Sequence, residues 1–258
     1  MNAQQSGFRY ASKQWIGHRP HQEDAADFLT MADGSLLALL ADGMGGHLAG
    51  DIASREVIQH FAKSFISSAT NPALSIPQRL EQALNAANQH LRTIQSGNQI
   101  GNSGTTLIAV LLQGNQFWWA SVGDSLLLLW EQGKNIIRLN EDHSMRPIAD
   151  EQWAKGEISY SYALRQRSIL RSAIMGDPIP LTDIPQSPTY LKTGDYLFLA
   201  SDGLDEWIED LRQTDLEKMK IAANQSLQAL LELIKAQVDT LDISYADNGT
   251  ISIICQDA

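Results

Sequence analysis

The chain carries one cysteine, Cys255, in 258 residues, so no internal disulfide can form and the fold does not depend on an oxidising compartment. No apolar run reaches the ~20 residues needed to span a membrane as a helix. The first residues, MNAQQSGFRY, lack a basic stretch followed by an apolar core, so no secretory signal is read there. Cations are scarce: 19 Lys and Arg stand against 30 Asp and Glu, a net charge of −11. That balance argues against a general nucleic-acid binder, whose phosphate contacts need a basic face, and against a polybasic membrane anchor. No phosphate-cradling GxxxxGK[ST] loop and no Cys/His spacing of a zinc site is present. A cytoplasmic enzyme is the expectation left by these absences.

What is present is a chain of ordinary hydrophobic content, 43%, long enough to bury a substantial core. Its centre is LLADGMGGHLAGD, Leu39 to Asp51. The apolar run Ser35–Leu40 reads as a buried strand, Asp42 stands at its end, and Gly43, Gly45 and Gly46 follow as a turn. Helical spacing resumes from Ala49. A carboxylate at a strand end beside an exposed carbonyl can hold a hard divalent cation, although an Asp-Gly pair is also a common turn former.

Before this centre, Phe8 to Gly17 reads as a strand, HRPHQED (His18 to Asp24) as a loop and Ala25 to Met31 as a second strand. Asp33-Gly34 gives a hairpin signal, which places Glu23 and Asp24 at the start of a strand antiparallel to the one bearing Asp42. Helices are expected at about 49–67 and 76–95. Strands follow at Gly104 to Leu112, Gln116 to Val122 and Leu126 to Trp130. The adjacent Trp118 and Trp119 point to opposite faces, which implies a strand covered on both sides. From about 140 to 188 strand character lapses, apart from helix-like pieces near 148–155 and 163–174; a flap-like segment is expected. Strands return at 187–192 and 195–200, the latter ending in SDG (Ser201 to Gly203). Helical stretches are read at 204–208, 211–223 and 226–240, and ADNGTISIIC places Asp247 before a closing strand. No linker or repeat is visible, so residues 1–258 are expected to form one domain.

Asp42, Asp202 and Asp247 each sit at the end of an apolar strand, followed by Gly or Asn-Gly, and Asp24 and Asp124 are similarly placed. So many strand-end acids suggest carboxylates converging on one edge of a sheet, an oxygen-only set that favours Mg²⁺ or Mn²⁺.

In order along the chain, RPHQED, ADGMGGH, SGTTLIAVLL, SVGDS, LNEDHS, GDYLFLASDGL and DNGTISII resemble the type 2C, metal-dependent protein serine/threonine phosphatases in their compact bacterial form. The resemblance implies an α+β fold, a central antiparallel β-sandwich flanked by helices on both faces, with metals at one end. It implies a water or hydroxide bridging two divalent cations, Mn²⁺ or Mg²⁺, as the attacking group. By the same resemblance Asp42 bridges the two cations, Gly43 offers its carbonyl, and Asp202 and Asp247 complete one shell. Glu23 and Asp24 act partly through bound water, Arg19 grips the phosphate, and Asp124 serves a third, weaker cation. The implied substrate is a phosphorylated protein, the product of a serine/threonine kinase, acted on by a monomer with no nucleic acid or membrane partner.

This chain departs from the family pattern at Gln22, where many members have Asn, and at Leu126 in place of an arginine. Arg171-Ser172-Ala173 replaces Thr-Arg-Ala in the flap. Met44 stands where eukaryotic members have a general-acid histidine, which leaves water as the proton source; His47 reads as a helix-start or solvent-facing residue. Two rivals are a phosphatase-fold pseudoenzyme that binds a phosphoprotein without turnover, and a metal-dependent nuclease or small-ester hydrolase. Retention of Asp42, Asp202, Asp247 and Arg19 argues against the first; the acidic balance argues against the nuclease.

Overall fold

A computed structural model describes residues 7–45, 49–97, 101–131, 134–241 and 247–256. In chain order its strands are β1 (Phe8–Trp15), β2 (Asp24–Thr30), β3 (Leu36–Met44), β4 (Gly104–Thr105), β5 (Leu107–Gln113), β6 (Gln116–Val122), β7 (Leu126–Trp130), β8 (Ile136–Arg138), β9 (Thr189–Tyr190), β10 (Tyr196–Ala200) and β11 (Gly249–Gln256). The helices are α1 (Ala49–Ser68), α2 (Ile76–Ser96), α3 (Arg146–Ala154), α4 (Tyr160–Gln166), α5 (Asp205–Asp210), α6 (Gln213–Gln225) and α7 (Leu227–Val238).

The strands form two antiparallel sheets. One has the order β1-β11-β10-β7-β8; the other runs β2-β3-β5-β6-β9, with β4 pairing on the end of β3. β3 and β5 are apolar on every residue of their cores because both of their faces are covered. Leu37, Leu39 and Ala41 pack toward α1 and α2, while Leu36, Ala38 and Leu40 join the layer between the sheets. Trp118 and Trp119 divide in the same way, as their alternation requires. The outer face of the other sheet is covered by Leu216, Met219, Leu230, Leu231 and Ile234 of α6 and α7, with Cys255 buried among them. The result is the expected helix–sheet–sheet–helix sandwich.

Differences from the sequence reading are local. β3 does not stop at Leu40 but continues through Asp42 and Gly43 to Met44, because Gly43 and Met44 find pairing partners in β4. The expected strand 104–112 breaks at Thr106, whose N–H turns to the Asp42 carbonyl. The second helical piece of the 140–188 segment lies at 160–166, earlier than its apolar spacing suggested. It is started by Ser159, whose hydroxyl accepts the Tyr162 N–H. The short strand β8 went unread. Gly46 and His47 lie outside the described residues.

The antiparallel registers gather the strand ends. Asp24 pairs with Asp42 where β2 begins and β3 nears its end. Ala200, at the end of β10, pairs with Ile251 of β11 and with Leu126 of β7. Asp202 therefore emerges beside Asp247 and Asp124, at one end of the sandwich.

Candidate metal centre

Asp42 is positioned by its backbone. Its N–H donates to Thr106 Oγ1 at 3.0 Å, and its carbonyl accepts the Thr106 N–H at 2.9 Å and the Thr105 hydroxyl at 2.8 Å. The main chain is thus satisfied, and the carboxylate faces the cleft. The glycine after it is a requirement of packing. A Cβ on Gly43 would collide with the carbonyls of Gly50 and Glu23, so the start of α1 can close on β3 only over a bare Cα. Gly203 is held in the same way, against the Asn248 carbonyl. The repeated Asp-Gly pattern is therefore explained at both sheets by close backbone approach.

Asp24 is nine-tenths buried or more, at 5% exposure. Its Oδ2 accepts the Thr250 hydroxyl at 2.6 Å and the Ser201 hydroxyl at 2.9 Å, while its Oδ1 is buried without a hydrogen-bond partner. Asn248 fastens the 16–23 loop to β11. Its Nδ2 donates to the carbonyls of Ile16 (2.9 Å) and His21 (3.0 Å), and its Oδ1 accepts the Glu23 N–H at 2.8 Å. The longer amide of Gln22 still bonds: Oε1 accepts the Asp24 N–H at 3.0 Å and Nε2 donates to the Trp15 carbonyl at 3.2 Å. Arg19 reaches Asp247 from this loop, Nη2 to Oδ2, at 2.5 Å.

Burial and mutual repulsion raise the pKa values of this set. Burial is the main cause at Asp42, whose pKa is raised well above the usual carboxylate range, with Asp24, Asp202 and Asp124 adding to it. Asp24 is raised to about 7, chiefly by burial and against the two hydroxyls that favour its anion. Asp124 is raised to about 8 by burial and then by Asp202 and Asp205. Asp202 is raised by burial and Asp247 and has a buried Oδ1 with no partner. Glu23 is also raised by burial, with Arg19 opposing. Carboxylates crowded into a dry site must either keep protons or meet a cation. The donors are all oxygen and two buried carboxylate oxygens are unpartnered, so the residues fit hard divalent cations.

These groups open into a cleft of about 910 Å³. Arg19, Glu23, Asp42, Gly43, Asp124, Asp202 and Asp247 line it. Asp24 does not; it lies behind the wall, held by the hydroxyls of Ser201 and Thr250. The 140–188 segment supplies the far wall through Leu170, Met175 and Pro180. Arg171 is turned to the main chain, with Nε donating to the Ser144 carbonyl (2.7 Å) and Nη2 to that of Asp142 (2.9 Å). Asp205 is a site residue the sequence reading missed: buried, raised to about 7 chiefly by burial, and ion-paired to Arg146. Its signal was slight, an acid three residues beyond Asp202 in SDGLDE. The hydroxyls of Thr106, Ser201 and Thr250 stood inside quoted motifs, but their bonds cross between strands and leave no local spacing.

A carboxylate cleft of this composition places the chain in the class of proteins that bind hard divalent cations through oxygen. The chain belongs to the protein phosphatase 2C family, whose model matches residues 16–240. It is 30% identical over 228 residues to the serine/threonine protein phosphatase PstP of Mycobacterium tuberculosis, covering 87% of this chain but only 41% of that longer protein. It is 29% identical over 217 residues to the serine/threonine phosphatase Stp of Listeria welshimeri, covering 83% of this chain and 84% of that one. A crystal structure of the M. tuberculosis PstP superposes with a TM-score of 0.74 at 27% identity, covering 97% and 99% of the two chains. A structure of the PstP catalytic domain in complex with two manganese ions gives 0.70 at 26% identity, covering 96% and 97%.

Proposed function

We propose that this chain is a protein serine/threonine phosphatase that hydrolyses phosphoserine and phosphothreonine monoesters with two divalent cations. The observation that carries the reading is the convergence of Asp42, Asp202 and Asp247 from two sheets onto one cleft, beside a guanidinium. Asp42 would hold both cations, with the Gly43 carbonyl, Asp202 and Asp247 completing their protein ligands. Glu23 and Asp24 act through ordered water, Asp24 from behind the wall, and Asp124 serves a third, weaker site. Bound there, the cations supply two things: a water acidified to a nucleophile at neutral pH and neutralisation of phosphoryl charge. The chain's own part is to hold the carboxylates in place and to orient the ester. Arg19 suits the second task, because a guanidinium fork can bond two phosphate oxygens. The Met44 thioether has no ionisable proton to give, so water would be the proton source for the leaving alkoxide.

The physiological substrate is a phosphoprotein made by a serine/threonine kinase, and the setting is cytoplasmic signalling by a monomer, with Mg²⁺ or Mn²⁺ as the working ion. Among the described residues no helix is long and apolar enough to cross a membrane. The test is hydrolysis of a phosphothreonine peptide with Mn²⁺, with and without exhaustive chelation, beside Asp42→Asn. Turnover that survives chelation, or that persists in Asp42→Asn, overturns the reading.

A further inference from the structure

Away from the cleft, α1 and α2 pack side by side and bring together three residues with metal-ligating atoms. Glu56 and His60 are four apart on α1, and so share one face of the helix; His90 comes from α2. One ligand atom from each lies within 4.8 Å of the others. His90 Nε2 is 2.8 Å from Glu56 Oε2, and His60 Nε2 is 3.8 Å from that same oxygen. The two imidazoles are stacked, with centroids 3.2 Å apart and planes inclined by 9°.

Hydrogen bonding accounts for only part of this arrangement. His90 bonds Glu56, but 3.8 Å is too long for a bond from His60. A face-to-face ring pair is not the preferred aromatic geometry, and two protonated rings so placed would repel. What the stack does achieve is to bring both Nε2 atoms within 3.8 Å of one carboxylate oxygen. A tetrahedral ion with bonds of about 2.0–2.1 Å needs donor atoms roughly 3.3 Å apart, midway between the two distances seen. We propose that Glu56, His60 and His90 form a second metal site, distinct from the carboxylate cleft, that takes a borderline transition ion, best Zn²⁺, and clamps α1 to α2.

The donor set supports that choice of ion. Two imidazoles and one carboxylate suit Zn²⁺, whereas Mg²⁺ and Mn²⁺ are better served by the all-oxygen cleft. Burial, the neighbouring His90 and the nearby Lys63 hold the His60 pKa below its usual 6.5, against the pull of Glu56, so at neutral pH the ring is in the free-base form a metal needs. The three residues are half-buried, with His90 at 23% side-chain exposure, which leaves an entry path from solvent. The site is separate from the catalytic end of α1: Ser54, whose hydroxyl donates to the Glu23 carbonyl at 2.6 Å, is two residues before Glu56 and so faces almost the opposite way. The third ligand lies thirty residues from the second, which is why no local Cys/His spacing announced it.

The test uses the full chain loaded with Mn²⁺, then equilibrated with Zn²⁺ and dialysed, with both metals counted. Wild type should retain one zinc that His90→Gln and His60→Gln each lose, while Mn²⁺ content and phosphopeptide turnover stay the same in all three. Zinc should raise the Tm of wild type and leave that of the variants unmoved. Anomalous scattering at the zinc edge should place the ion between the two Nε2 atoms. Equal zinc in all three proteins, or a zinc peak confined to the Asp42–Asp202 cleft, overturns the proposal. If one variant loses its helical circular dichroism, the other carries the comparison.

Discussion

Arg19 Nη2 lies 2.5 Å from Asp247 Oδ2, a pairing across 228 residues that joins the phosphate-gripping candidate to a cation-ligand candidate. Burial alone would lower the guanidinium's pKa, but the charge and hydrogen bond of Asp247, with Asp202 and Glu23, raise it. The Arg19 side chain is 57% exposed and that of Asp247 36%, so water screens the pair and both partners can exchange it for others. A phosphate dianion offers Arg19 two oxygens, and a cation offers Asp247 a stronger charge.

Arg19→Ala should therefore weaken substrate binding more than metal binding. Losing a charge-assisted bond to phosphate costs about 1.5–3 kcal/mol, or roughly tenfold or more in KM. Phosphothreonine-peptide kinetics measure the first effect, and metal analysis should show an undiminished cation count. Unchanged KM would mean that the phosphate is held by other groups.

The raised carboxylates give a pH dependence with a definite sign. Asp24 and Asp124, at about 7 and about 8 in the fold, are near 3.8 when exposed. Between those values the cation-free fold binds more protons than the unfolded chain, so its stability falls as pH rises from about 4 to 8. Cations must displace those protons, so apparent cation affinity should rise over the upper part of the same range. Urea unfolding in chelator, against pH, reads the first effect and calorimetry with Mn²⁺ the second. A chelated protein that gains stability from pH 4 to 8 would contradict this account.

Asp24 owes its orientation to two hydroxyls on the opposing sheet, Thr250 and Ser201. Thr250→Val keeps the shape of the side chain and removes one charge-assisted bond, which is worth about 1.5–3 kcal/mol. The Mn²⁺-loaded variant should lose stability of that order in denaturant, and in chelator Asp24, with one fewer hydroxyl favouring its anion, should hold its proton more firmly. Restoration by Thr250→Ser would assign the loss to the hydroxyl; equal loss in Val and Ser variants would assign it to packing.

Much of this was legible from the sequence because strands announce themselves by what covers them. The unbroken run Leu36–Ala41 is buried on both faces, and Asp42 at its end broke the pattern visibly. The hairpin signal at Asp33-Gly34 was enough to put Glu23 and Asp24 on the strand beside that of Asp42; the register that sets Asp24 opposite Asp42 comes from the structure. What could not be read were features made by contact across the fold. The unpaired Oδ1 of Asp202, the Asn248 bonds to Ile16 and His21, and the burial of Asp205 all depend on which strand ends meet. β8 was missed because it is three residues long and partly exposed, with no apolar run to mark it. Glu56, His60 and His90 each sit on helices that were read correctly, yet their convergence follows only from how α1 and α2 pack.

Asp124 and Asp42 differ in a way that separates their roles. Asp42 stands at the centre of the acid set, raised by the charges of Asp24, Asp202, Asp124 and Asp247 as well as by burial. Asp124 enters from the β6–β7 turn, where Arg138 Nη2 donates to its carbonyl at 2.8 Å and Asn140 anchors the neighbouring Ser125. Those bonds use the main chain, so Asp124→Ala should leave the turn and fold intact. It should keep two bound cations, counted by calorimetry or anomalous scattering, while turning over phosphoprotein more slowly. Asp42→Asn should instead lose both cations and all activity at any accessible metal concentration, since Asp42 is the one residue proposed to hold both. If Asp124→Ala loses the central pair, or works at the wild-type rate, Asp124 is a turn residue and not the ligand of a third cation.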